Sequence, residues 1–312
     1  METITGLISF SNPICCKEDI LGEIIETTIT GVKVRIHFPR LPSFDIEKPE
    51  VGIINPLLAP DIAKKWRRGD EPLFWGYPQR YPSGNSCIEL LAVSVECDEE
   101  VSTEKGKALY AGIHIWGKSF VDYLKISTKQ NIERDKNIEN KEHCWLELRG
   151  MECIPGVTTA KIYLTVPNPE SFASKRQIED ALQFAASGRE LHLEYQMLLS
   201  AYQARKECQN RQAIIDAGSA VELCLEDYIS RRVKELGFSP VFFLDKFKSL
   251  GDRIDLTKQL DKSFPKEDHQ AIIVKPRNDI AHNREAYPSD ETTDQLIACV
   301  ERCLQHYFAG YY

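Results

Sequence analysis

Arg277, Asn278, Asp279 and His282 are the residues of this chain best equipped for chemistry, and they stand together in the stretch Val274-Lys275-Pro276-Arg277-Asn278-Asp279-Ile280-Ala281-His282. Arg277 supplies a permanent cation whose fork of donors matches a phosphate, and His282 is the one side chain here able both to take and to give a proton near neutral pH. Asn278 and Asp279 can orient the imidazole or bind a ribose hydroxyl. The set suits metal-free cleavage of RNA by the neighbouring 2′-OH: His282 would move protons at the 2′-OH or the 5′-O leaving group, and Arg277 would offset charge on the pentacoordinate phosphorus. Asp279 has the weakest case, since a carboxylate repels a phosphate unless a cation pairs with it. On a helix Asn278 and His282 share a face at i,i+4, whereas Arg277 lies about 140° round from His282, so the two do not stack but can converge on a phosphate from the rim of a groove. The bare spacing is a weak pattern, because with 7 His in 312 residues an arginine five positions before a histidine readily arises by chance.

The elements that must position these residues are helical. Pro276 lacks an N–H and disfavours the helical state at Lys275, so a helix arriving from Glu267 is expected to break or kink there. Upstream, Ser174 to Ser187 can form a helix stopped by Gly188. Leu191, Tyr195, Leu198, Leu199 and Tyr202 then repeat at helical spacing. Asn210 is a possible cap for a helix from Arg211 to about Leu236, ended by Gly237, with Ile214, Ala217, Val221, Leu225 and Tyr228 on its apolar face. Val241 to Leu250 and Ile254 to Leu260 read as two shorter helices separated by Gly251. A last helix, Asp290 to Phe308, points Leu296, Val300, Cys303, Leu304 and Tyr307 inward and is apolar enough to cover its own core and part of a partner. An up-and-down bundle follows, with the Arg277 to His282 stretch ending its penultimate helix.

Arg277-Asn278-Asp279-Ile280-Ala281-His282 resembles the R-x4-6-H signature of the HEPN superfamily, and Arg211 to Leu225, rich in small residues around a central Glu222, resembles that superfamily's second helix. The resemblance covers roughly the last 120 residues. It implies an α-helical bundle that dimerises so that two R…H motifs form one composite site, often a metal-independent endoribonuclease serving phage defence, toxin–antitoxin or RNA-processing systems. The toxin branch often has a tyrosine two residues after the histidine; Arg284 stands there in this chain, and Tyr287 does not match. Lys275 and Arg284 are the expected cationic contacts to RNA (tRNA or single-stranded RNA). Glu222, a carboxylate among small residues, is expected either to pair with Arg277 or to face solvent. Arg231, Arg232 and Lys234 are a further basic cluster, as readily explained as partners of a helix C-terminus. His269, outside the motif, is expected at the surface. No cofactor or metal is called for.

The remainder of the chain bounds these expectations. Residues 1–167 are β-rich and residues 168–312 helical, giving an α+β multidomain chain: an antiparallel β-rich domain for sensing or partner binding, then an all-α HEPN-like bundle. Gly31 to Phe38 alternates as a half-buried strand does, and similar runs occur at Cys87–Val95, Gly112–Trp116, Cys144–Leu148 and Ala160–Val166, with one helix expected from Lys107 or Ser119 to Leu124. The loop from Pro72 to Tyr81, dense in aromatics and prolines, is either a stacking or protein-binding surface or, more simply, a cap on a small β core. The mixed-charge run from Thr128 to Glu142 reads as a solvated loop or exposed helix. The boundary is set by Val166-Pro167-Asn168-Pro169-Glu170-Ser171. No membrane span or signal peptide is evident, which with ten cysteines lacking any C-x-x-C pair or zinc spacing suggests a cytoplasmic protein. Cys299 and Cys303, with His306 nearby, share a helical face and read as core packing. The net charge of −8 is shared evenly, 20 basic against 24 acidic residues through residue 166 and 19 against 23 beyond it. That excludes broad, sequence-blind nucleic-acid binding and leaves RNA contact to a local patch. The alternative to a ribonuclease is a non-catalytic dimerisation or nucleotide-binding module acting as scaffold or adaptor.

Overall fold

The computed structural model describes residues 2–39, 76–78, 84–97, 102–134, 146–147, 171–283 and 287–307. It contains an antiparallel β region near the N-terminus and a helical C-terminal part, an α+β chain as expected. Two compact units divide it, Met1–Glu190 and Leu191–Tyr312. Arg284, the loop from Pro72 to Tyr81 apart from residues 76–78, the charged run beyond Arg134, and the expected strand at Ala160–Val166 lie outside the described residues.

In the first unit, β1 (Glu2–Lys17), β2 (Ile24–Ile29), β3 (Val32–His37), β4 (Gly76–Pro78) and β5 (Asn85–Cys97) belong to a sheet with seven strands among the described residues. β1 and β5 pair antiparallel from Glu2 opposite Cys97 to Lys17 opposite Asn85, with the register shifting between Ser9 and Ile14. Pro13 falls inside that interruption, where its missing N–H costs no ladder bond. β2 and β3 are joined through Thr30 and Gly31, both at positive φ (47° and 79°), the two-residue hairpin turn whose twist matches its strands. β6 (Glu133–Arg134) and β7 (Leu146–Glu147) add short pairings to β1.

The expected strand at Gly112–Trp116 is instead part of one long helix, α1 (Ser102–Thr128). Leu109, Ile113, Trp116, Phe120 and Leu124 recur every three or four residues and are all buried, so the helical period outweighs the local alternation. Gly112 is required within this helix because a Cβ there would overlap the Thr30 methyl, and Thr30 Oγ1 donates to the Ala108 carbonyl at 3.1 Å. The helix α2 (Lys175–Ala186), capped by Ser174 with Gln177 in a capping box, packs with this unit. Tyr123 and Phe184 meet at 5.3 Å between ring centroids, Gln177 Nε2 donates to the Ser127 carbonyl at 2.8 Å, and Thr27 Oγ1 donates to that of Leu182 at 3.3 Å. The compact units therefore divide about twenty residues beyond the prolines at 167 and 169, because α2 is amphipathic and its apolar face is covered by α1 and β2.

The second unit comprises α3 (Leu193–Lys206), α4 (Asn210–Glu235), α5 (Pro240–Lys246), α6 (Leu250–Leu260), α7 (Lys275–Ala281) and α8 (Asp290–Tyr307). Tyr195 and Leu198 of α3, Ile214, Ala217, Val221 and Leu225 of α4, and Leu296, Val300 and Leu304 of α8 are fully buried and form its core. Gln209 rather than Asn210 is the cap of α4; Asn210 uses its side-chain amide to hold the Pro288 carbonyl and Asp290. The break before α6 falls at Phe247 to Ser249, where Ser249 Oγ caps the new helix, and Gly251 is already inside it. Exposed large apolar side chains of this unit gather at Leu236, Phe238, Val241 and Phe242, around the end of α4 and the start of α5, while the apolar face of α8 is turned into the unit's own core. Among the described residues no helix is long and apolar enough to cross a membrane.

Asp261, which ends α6, ties it to the last turn of α8: its carboxylate accepts from His306 Nε2 at 2.8 Å and from the Tyr307 hydroxyl at 3.1 Å, and Ser263 donates to it twice. Partial burial works against the ionised form, but these donors hold the carboxyl well below the ordinary aspartate range. A depressed folded-state pKa contributes stability that is fully present above the unfolded value, near 3.9, and is lost progressively as the pH falls from there through the lower folded value. Asp261→Asn should therefore lower the urea-unfolding midpoint at pH 7, by a cost of about 1–2 kcal/mol, and the gap from wild type should narrow as the pH is taken below about 4.

Candidate functional site

The Arg277 to His282 stretch occupies α7, which is entered through a single π turn, Gln270–Val274, whose wide i→i+5 closure is made by the Lys275 N–H on the Gln270 carbonyl. Of the break or kink expected at Pro276, no break occurs, since Val274 and Lys275 both keep helical angles; the irregularity there is the π turn itself. The extra residue of the π turn shifts the carbonyl ladder by one, which accommodates a ring that would crowd the i−4 carbonyl and an absent N–H.

Small residues on α4 decide where Arg277 goes. Gly218 is buried, and a Cβ there would stand 2.7 Å from Arg277 Cδ and 3.1 Å from its Cγ and Nε, so the arginine stem lies across the glycine. One turn along α4, Glu222 Oε2 accepts from Arg277 Nη2 at 2.6 Å, which is the pairing expected for this carboxylate. Glu222 Oε1 also accepts from Arg253 Nη1 at 3.3 Å, and Arg253 reaches Glu226 at 3.3 Å and the Phe247 carbonyl at 3.2 Å. Two arginines and two glutamates thus alternate along one side of α4, α6 and α7. Nothing in the sequence marks Arg253 for this role, because it comes from a separate helix with no motif around it. Arg277 Nε is buried without a hydrogen-bond partner.

His282 closes α7, its backbone N–H donating to the Asn278 carbonyl at 2.9 Å, and its side chain is exposed. The i,i+4 placement of Asn278 and His282 is therefore present, with Asn278 and Asp279 half-buried and Lys275 exposed. The next residue, Asn283, adopts φ 55°, and its Oδ1 accepts from Arg211 Nη2 at 2.8 Å, which ties the end of α7 to the start of α4. Of the other basic candidates, Arg231 pairs with Asp227 at 2.8 Å and Arg232 with Glu235 at 2.9 Å on their own helix.

His269 is not at the surface. It is fully buried at the head of the π turn, stacked on Phe264 at 5.0 Å, and burial lowers its pKa from the ordinary imidazole value. Cys299 and Cys303, both fully buried on α8, group with His269, their ligand atoms all within 4.8 Å of one another. His306 points elsewhere, to Asp261. In comparisons with known proteins, no family model, curated protein or solved structure matches this chain.

Proposed function

We propose that the chain is a metal-independent endoribonuclease of the HEPN type, in which Arg277 and His282 act on an RNA phosphodiester through a site completed by a second copy. The observation that supports it most is the exposure of His282 at the end of α7, one turn beyond Asn278, on the same short helix as an arginine whose stem is seated against Gly218 and oriented by Glu222. A guanidinium keeps donors to spare after pairing with one carboxylate oxygen, so Arg277 can hold a phosphate while Glu222 fixes its direction. His282 supplies one proton-transfer group per chain, and cleavage by the 2′-OH needs a proton removed and a proton delivered. A two-fold dimer that brings two such histidines to one phosphate meets that need. The role would be growth arrest in phage defence or a toxin-like stress response, with the β-rich unit receiving a ligand or protein partner.

A second reading has its own support: Arg277 is already paired inside an ion network, and the apolar surface at Leu236, Phe238, Val241 and Phe242 fits a module that only dimerises. Incubation of the full chain with tRNA and with a synthetic single-stranded RNA in EDTA separates the two. Products ending in 2′,3′-cyclic phosphate, formed by wild type, are the expected result. Uncut RNA, or equal cutting by His282→Ala, would transfer the assignment to the scaffold.

A further inference from the structure

His269, Cys299 and Cys303 form a second chemical centre that the Arg277 site does not use. The two cysteines are four residues apart on α8, so their thiols project from one face and converge on the histidine at the head of the π turn. Both are free of disulfides and all three residues are fully buried. Neither ring nitrogen of His269 has a partner in hydrogen-bond geometry, although the residue is wholly out of solvent; the backbone of Glu267 stands beside the ring. A buried imidazole with two unmet polar atoms is costly, and a ligand that takes a nitrogen lone pair removes that cost. Their ligand atoms lie within 4.8 Å of one another, which needs a contraction of about 1 Å to reach the edge of a tetrahedron with zinc-type bond lengths.

Charge selects among soft metals. Glu267 is adjacent to Cys299 and its carboxylate is gripped by Arg302 through two bonds of 2.6 Å, so that acid is already balanced. Two thiolates then carry the remaining charge. A divalent ion neutralises them in a buried setting, whereas monovalent copper would leave one negative charge uncompensated.

We infer that His269, Cys299 and Cys303 bind one zinc ion, and that this ion clamps the head of the π turn to α8. The inference stands on residues outside the Arg277 and His282 site and is independent of the ribonuclease reading. Its function is structural, because the ion would fix the segment that enters α7.

The test uses the full chain and metal content, not RNA cleavage. Protein stripped under reducing conditions with a strong chelator is titrated with zinc, and in parallel with cobalt(II), whose thiolate charge-transfer and tetrahedral d–d absorption report the ligand set. We expect about one equivalent bound, a raised melting temperature on reloading, and at least a tenfold loss of affinity in His269→Ala and in Cys303→Ser. His306→Ala should bind as wild type does. Folding of each variant is checked by circular dichroism. Should a variant fail to fold, protection of Cys299 and Cys303 from alkylation by added zinc in wild type, mapped by mass spectrometry, answers the same question. Absence of stoichiometric zinc in folded wild type, unchanged binding by His269→Ala, no zinc protection of those two thiols, or tight uptake of copper(I) but not zinc would each overturn the assignment.

Discussion

His282→Ala should lower the rate of RNA cleavage by two to four orders of magnitude, roughly the contribution of a positioned proton-transfer group, while leaving the fold intact. The stability half of this expectation follows from exposure: the imidazole lies outside the core, and the backbone bond from its N–H to Asn278 survives the substitution. A composite site adds a sharper expectation. In an equimolar mixture of wild type and His282→Ala whose subunits exchange, only about a quarter of the dimers carry two histidines. If both are needed, activity per wild-type chain should fall by about half when pure wild type is replaced by that equal mixture. Linear dilution, with no loss per wild-type chain, would show that each chain cleaves alone. Single-turnover rates with a labelled RNA and cyclic-phosphate analysis of the ends make the measurement.

The helical half of the chain is legible because each helix carries its own punctuation. Gly237 ends α4 with φ 81°, and the buried residues of α4 and α8 fall on the apolar faces their spacing indicates. The first unit is harder to read for identifiable reasons. In β1 the alternation is interrupted where Pro13 and the register shift sit, so a strand of 16 residues shows no continuous period. In α1, Gly106, Gly112 and Gly117 resemble loop punctuation, yet Gly112 is there to admit Thr30. The expected pairing of Glu222 with Arg277 forms because the small residues of α4 let the arginine stem lie across Gly218 and reach the carboxylate, which also takes Arg253 from α6. The burial of His269 was hidden by its neighbours Glu267 and Asp268, and its grouping with Cys299 and Cys303 depends on a contact some thirty residues away that no local pattern encodes.

Glu222→Ala should be the most destabilising surface-adjacent change near the site, because one carboxylate is shared by two arginines. Arg253 and Arg277 keep 12% and 26% of their side-chain surface exposed, so removing Glu222 leaves two cations only partly hydrated. Full burial would make such a loss worth about 3–5 kcal/mol; the residual exposure, and Glu226 remaining beside Arg253, bring the expectation to about 1–3 kcal/mol. Glu222→Gln keeps the shape and an accepting oxygen but not the charge, and should fall between. In Arg277→Met the demand on Glu222 drops to one partner, so a double-mutant cycle with Glu222→Ala should show a coupling of about 1 kcal/mol or more. Urea unfolding of the full chain supplies the energies. The same proteins tested for cleavage distinguish Arg277 as a phosphate holder from Arg277 as a strut. A holder loses activity in Arg277→Met far beyond its stability cost, and Glu222→Gln, which frees the guanidinium to wander, loses less. If activity instead tracks stability across the set, Arg277 serves the fold alone, and the arginine that meets RNA must be sought elsewhere.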